Sequence, residues 1–334
     1  MFRVIRLLPM LILFVSCHRT PLKVDVSGIG LTLTIQRLDH DIFTVTPENG
    51  QTTIPQLEQK YGPFFKAYNE KVLALGNSSD PLYSNYLNSF LKDSVRISSR
   101  HKIDSVFQDI LPIQKKIEEG FRHYKYYFPN KKIPQIITII SGFNQSVVMT
   151  DDAIGISLDN YLGAGCNYYA MLALPAFKRE NMQPAKIPTD VLYAWGVSEY
   201  LFDESINNLI SNMVYQGKML YFLDAMFPDE PDYLKIGYQP EKLEWCKKSE
   251  GGMWTYLVEH KLIFNTERMN IVRFINPAPF TSCFTNESPG RTGTWIGWQI
   301  VRSYMKNNPK ISLPELMTDN DYQKILNESG YSPE

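Results

Sequence analysis

The chain has 334 residues and a formal net charge of −1, from 34 Lys and Arg against 35 Asp and Glu. A near-neutral balance with no basic run leaves no electrostatic footprint for nucleic acid. The length suits one large domain or two smaller ones, with enough apolar residues to fill a core.

The chain opens on MFRVIRLLPMLILFVSC. Arg3 and Arg6 precede an apolar run from Leu7 to Val15, and Ser16 precedes Cys17. That is the layout of a secretory signal. The run is shorter than the roughly 20 residues a spanning helix needs. A small residue before Cys17 is the arrangement of bacterial lipoprotein processing, although Phe14 stands where Leu is usual. On that reading residues 1–16 are removed and the Cys17 thiol carries the lipid. An ordinary cleaved signal is the alternative. Either way the expectation is a cell-envelope protein facing the periplasm, with inner and outer membrane undecided. Several acyl chains anchor stably where one alone binds marginally. Residues 17–30 read as the tether, with Pro21, Gly28 and Gly30 in it.

Leu31 to Leu38 alternates as LTLTIQRL, which predicts a strand. From Pro55 to Leu75, apolar residues recur every three or four positions, which predicts a helix broken near Pro63. Two more helical stretches follow, 81–90 and 104–128, the second interrupted at Pro112. The β-branched run Ile136 to Ile140 predicts a buried strand. Val147–Met149 and Ile154–Leu158 predict two short strands joined by a turn at Asp151-Asp152, with hairpin connections among the three. That acidic pair reads as turn residues rather than a calcium loop, which needs several spaced oxygen ligands. Helical periodicity returns over 191–202, 205–227 and 293–306, and Trp295 and Trp298 read as core. Strands grouped among helices predict an α+β fold, mostly helical with a small mixed sheet at about 133–160.

Several segments carry a resemblance: LTIQRLDHDIF ending at Phe43, LEQKYGPFFKAY at 57–68, MTDDAIGISLDNYLG at 149–163, NLISNMVYQGKMLYFLDAMFPD at 208–229, and SPGRTGTWIGWQIVRSYMKNNP at 288–309. Together they resemble the gliding-motility lipoprotein B family of Bacteroidota over nearly the whole mature chain. That family is similar to a broader group of predicted zinc metallopeptidases. The resemblance implies a single zincin-like α+β domain over 31–334 and a role beside envelope machinery that also serves secretion. It implies partners among envelope proteins, and the membrane through the lipid anchor.

In the peptidases one helix carries H-E-x-x-H, whose two His grip one Zn²⁺ while the Glu acts as general base. The next helix supplies a third ligand, and one position stays open for water. The helix in that place here is DVLYAWGVSEYLF, 190–202, which contains no His. The next has Gln216 before Gly217, where the peptidases have Glu. The five His, at 18, 40, 101, 123 and 260, include no pair within four positions. The expectation is therefore a non-enzyme with no cofactor, using a vestigial peptidase groove to bind a partner or peptide. A residual hydrolase and a purely structural subunit are the alternatives. Candidate groove residues are Asp159, Tyr161, Glu199, Gln216 and Arg291. Asp159 and Tyr161 either line the groove at the end of an edge strand or cap that strand. Glu199 is either a buried cleft acid or a solvated one. Arg291, near a helix N-terminus, either holds a carboxylate or pairs within the fold, as does Arg302 at the same helix. If Cys17 is acylated, Cys166, Cys246 and Cys283 form one bridge and a thiol, or remain three thiols.

Overall fold

The structure is a computed structural model that describes residues 22–333. The signal and Cys17 lie outside the described residues. Four strands form one sheet: β1 (Ile35–Arg37), β2 (Gln135–Ile139), β3 (Val147–Met149) and β4 (Ala153–Ser157). Eleven helices of six or more residues accompany them among the described residues. Four precede β2: α1 (Gly50–Ala67), α2 (Tyr83–Lys92), α3 (Ser94–Val106) and α4 (Leu111–Tyr127). The rest follow the sheet: α5 (Ile187–Glu199), α6 (Leu209–Met226), α7 (Pro240–Glu259), α8 (Arg268–Ile275), α9 (Thr292–Asn307), α10 (Leu313–Thr318) and α11 (Tyr322–Ser329).

The sheet order is β1-β2-β4-β3. β2 pairs in parallel with both β1 and β4, whereas β3 pairs antiparallel with β4. Only β3 and β4 therefore form a hairpin, and the expected hairpin from β2 is replaced by a crossover past β3. The sheet is mixed and the fold is α+β. Side chains alternate across it. On β2, Ile137 and Ile139 enter a front core with Ile54, Leu57, Phe64 and Tyr68 of the first helical layer. Ile136 and Ile140 enter a rear core with the helices that follow the sheet. Burial on both faces explains why this run reads IITII instead of alternating.

The first helix begins at Gly50, five residues before the expected start, and breaks at Gly62, whose φ is 54°, just before Pro63. The β1 alternation overreaches: only Ile35–Arg37 are ladder residues, and a short helical turn begins at Leu38. The long helix α7 escapes the periodicity argument. It exposes most of its surface, buries only Leu243, Cys246, Met253 and Leu257, and carries Gly251 and Gly252 in its middle. Residues 22–30, expected as tether, begin on the domain surface. Lys23 Nζ lies 2.5 Å from Asp229, and the Tyr127 hydroxyl donates to the Leu22 carbonyl at 3.4 Å. Cys166, Cys246 and Cys283 are free thiols, and burial pushes the Cys246 thiol well above its ordinary value.

The rear layer is organised by the crossing of α6 and α9. A Cβ on Gly217 would lie 2.2 Å from the Gly297 carbonyl oxygen, and one on Gly297 would lie 1.8 Å from the Met213 carbonyl oxygen. The two backbones touch with no side chain between them. Beyond that contact, Trp298 Nε1 donates to Asp224 at 2.9 Å, and Arg302 donates to Asp224 twice at 2.8 Å. Arg302 also grips Asp232 at 2.7 and 2.8 Å, and Lys235 reaches Asp224 at 2.8 Å. Arg302 is thus an internal ion-pair residue, held protonated by its two carboxylates.

Gly297→Ala should force α6 and α9 apart and cost at least about 3 kcal/mol, at the upper end of overpacking penalties. Gly252→Ala, exposed in α7 with nothing within 4 Å of its Cβ position, should gain about 0.5–1 kcal/mol from helix propensity. Urea unfolding of the two variants checks the opposite signs.

Candidate functional site

A polar cluster lies between α5 and α6, beside the N-terminus of α9. On α5, Asp190 and Tyr193 are one turn apart and share a face. Asp190 accepts from the Tyr161 hydroxyl at 3.0 Å and pairs with Lys186 at 2.9 Å. Tyr193 donates to Gln216 Oε1 of α6 at 2.6 Å. Arg291 caps α9 in the left-handed region, with φ 60°, and its Nη1 donates to the Ile236 carbonyl at 2.8 Å. No carboxylate pairs with Arg291 among the described residues.

The electrostatics tie these groups together. Burial pushes the Tyr193 phenol up, and the Arg291 charge is the largest effect opposing it. Burial, then the Asp190 charge, pushes Tyr161 far above its usual range. Both phenols therefore remain protonated donors at any physiological pH. Next to the cluster a cavity of about 290 Å³ opens beside Arg291, lined by Phe177, Asn181, Tyr238, Lys242 and Pro279. Lys242 is spent on the Asn286, Glu287 and Ser288 carbonyls at 3.0–3.2 Å. The Arg291 guanidinium is the cation of this cavity with donors to spare.

Of the five candidates, Tyr161, Gln216 and Arg291 belong to this cluster. Asp159 and Glu199 do not. The expectation that Asp159 and Tyr161 end an edge strand is corrected: β4 lies inside the sheet and β3 is the edge. Both side chains are fully buried, so neither lines an open groove. Asp159 instead accepts from the Ser141 and Phe143 N–H groups at 3.2 and 2.7 Å, fixing the turn after β2. Gly142 and Phe143 both have positive φ there, a conformation that needs such a clamp. Glu199 is half-buried on the far turn of α5. It pairs with Lys131 at 2.5 Å and accepts from Tyr124 at 3.4 Å.

Asp190, Tyr193 and Lys186 were missed as cluster members. Asp190 and Tyr193 stand three apart on the helix examined for histidines, and that spacing was the available signal. Lys218, next to Gly217, was missed as well. It is buried, donates to the Asp319 carbonyl at 2.7 Å, and is pushed down to about 8 by burial.

The cluster does not fit a zinc ion. A catalytic site needs three nitrogen, sulfur or carboxylate ligands, and this one offers two phenols, an amide, a guanidinium and one carboxylate already paired to a lysine. Among the described residues no three His, Cys, Asp or Glu side chains converge in a metal-holding group. No helix among them is long and apolar enough to cross a membrane.

The chain is thus a mostly helical α+β domain with a small mixed sheet and a polar cluster between two of its helices. The model described as gliding motility protein GldB matches residues 19–333, so the chain belongs to that family. Membership associates it with gliding motility and with lipid anchoring. No curated protein and no solved structure matches the chain.

Asp159 makes a pH prediction. Burial raises its carboxyl from 3.8 to about 6, against the pull of the backbone donors. The folded state therefore holds a proton between those values that the unfolded chain releases. The resulting stabilisation is full below pH 3.8 and lost as pH rises through 6. The stability of the wild type minus that of Asp159→Asn should fall by on the order of 3 kcal/mol between pH 4 and pH 7. A difference that is flat or rises with pH in denaturant titrations would contradict the burial of this acid.

Proposed function

We propose that the chain is a non-catalytic lipoprotein of the gliding machinery on a zincin-like scaffold, and that it binds a partner polypeptide at the former peptidase cleft. The observation that carries this reading is the Tyr193–Gln216 hydrogen bond. It joins the helix where peptidases place H-E-x-x-H to the helix where they place the third ligand. At 2.6 Å it closes the space between those helices with a neutral contact. The one carboxylate of the cluster, Asp190, is already paired with Lys186 and accepts from Tyr161.

Two features can carry recognition. β3 is the sheet edge and packs against α5. An edge strand offers unpaired backbone groups, and an extended peptide can add to it. The cavity beside Arg291 then supplies that cation, the Glu180 carboxylate and the apolar walls of Phe177 and Pro279 for side-chain selection. The protein faces the periplasm through its lipid anchor, so the polypeptide belongs to another envelope component.

Arg291→Glu should reduce crosslinking of the native, membrane-borne protein to its partner at least tenfold, while Glu199→Gln, outside the cluster, leaves it unchanged. Crosslinking in cells followed by quantitative mass spectrometry reads both. Undiminished crosslinking of Arg291→Glu, with loss only from substitutions elsewhere on the surface, would reassign the protein as a subunit that docks without using the cleft.

A further inference from the structure

A second and larger cavity, of about 690 Å³, lies where the described chain begins. Leu22 and Val24 form one wall, and Met305, Ile311 and Leu313 form the opposite one. Rings from Tyr126, Tyr127 and Tyr221 close the sides. At the floor stand Asp224, Asp232, Lys235 and Arg302, the ion-pair network between α6 and α9.

The chemistry of this cavity narrows its occupant. The floor carries two cations and two anions and is neutral. Asp224 already accepts from Lys235, from Trp298 and twice from Arg302, and both Asp232 oxygens accept from Arg302. A hydroxyl-rich ligand such as a sugar would have to break those bonds to gain its own. The side walls are helices α4, α6 and α9, whose backbone groups bond internally. No strand of the sheet lines the cavity, so an extended peptide finds no ladder to join. What remains open is mostly apolar and aromatic surface, with Ser312, with Glu230 paired to Lys116 at 3.1 Å, and with one cation, Lys306, exposed on the rim and unpaired among the described residues. That pattern fits an acyl chain with a polar or anionic head.

The position of the chain start points to a source. Lys23 bonds Asp229 and the Leu22 carbonyl accepts from Tyr127, so the segment is pinned at the cavity wall. Leu22 is five residue steps from Cys17, a reach of at most about 18 Å. We infer that this cavity receives an acyl chain, either one carried by Cys17 or one drawn from the membrane that Cys17 anchors to. Sequestering an acyl chain there presses the α4–α6–α9 end of the domain against the bilayer and leaves the Arg291 cluster, at the other end of α9, directed to partners.

The test uses the fluorescent fatty acid cis-parinaric acid. The mature chain with Cys17→Ala, which cannot be acylated, should bind it saturably and one to one. Ile311→Asp and Met305→Trp, each made in that background, should weaken binding at least tenfold with an unchanged circular dichroism spectrum. If the native acylated protein then fails to bind the probe, its own chain fills the cavity. If it binds as well as Cys17→Ala, the occupant is a membrane lipid. A folded Cys17→Ala protein that binds no probe, or one whose binding survives both substitutions, overturns the assignment.

Discussion

The closest constraint in the molecule is the backbone contact between α6 and α9. Gly217 and Gly297 let the helices approach to a separation that no other residue permits, because any Cβ would sit inside a neighbouring carbonyl. The contact locks α6 along its length. One turn holds Gln216 against Tyr193, and two turns further on Asp224 meets Trp298 and Arg302. Both helices line the larger cavity, and the smaller one reaches the Arg291 cap of α9. A shift of α6 by one side-chain thickness would open the cluster and tear the ion pairs together.

The ion-pair network is costly by itself. Taking Asp224 and Lys235 out of water carries a desolvation penalty that their attraction only offsets when every lone pair and proton is used. The Asp224 lone pairs are used: it accepts four bonds, and the Arg302 guanidinium lies 3.8 Å from the Trp298 ring while it forks between two carboxylates. Apolar residues of the same volume would hold the helices as well. Retaining charge gives the wall of the larger cavity a fixed polar floor that an apolar replacement would not supply.

The sequence made some of this legible and hid the rest for identifiable reasons. The helices with a clear apolar rhythm, α4, α6 and α9, stand near their expected bounds, and Pro63 and Pro112 mark real breaks. Trp295 and Trp298 are core, as their spacing indicated. The strand order was not readable, because pairing of β2 with β4 across β3 is a long-range choice that local patterning does not encode. The site was half legible. Gln216 could be found from its place before Gly217, and Arg291 from its place near a helix N-terminus. Asp159 misled because a carboxylate at a strand end looks alike whether it faces a groove or clamps a neighbouring turn. Only the positive φ of Gly142 and Phe143 reveals the clamp.

The family's association with gliding motility and the phenol–amide hydrogen bond between α5 and α6 support our proposal of a protein that recognises rather than cleaves. Zinc content of the native protein, measured by inductively coupled plasma mass spectrometry together with cleavage of a peptide library, tests that description most directly. Far less than one zinc per chain and no cleavage are expected. One tightly held zinc per chain, with peptide hydrolysis abolished by a chelator and restored by the metal, would contradict it.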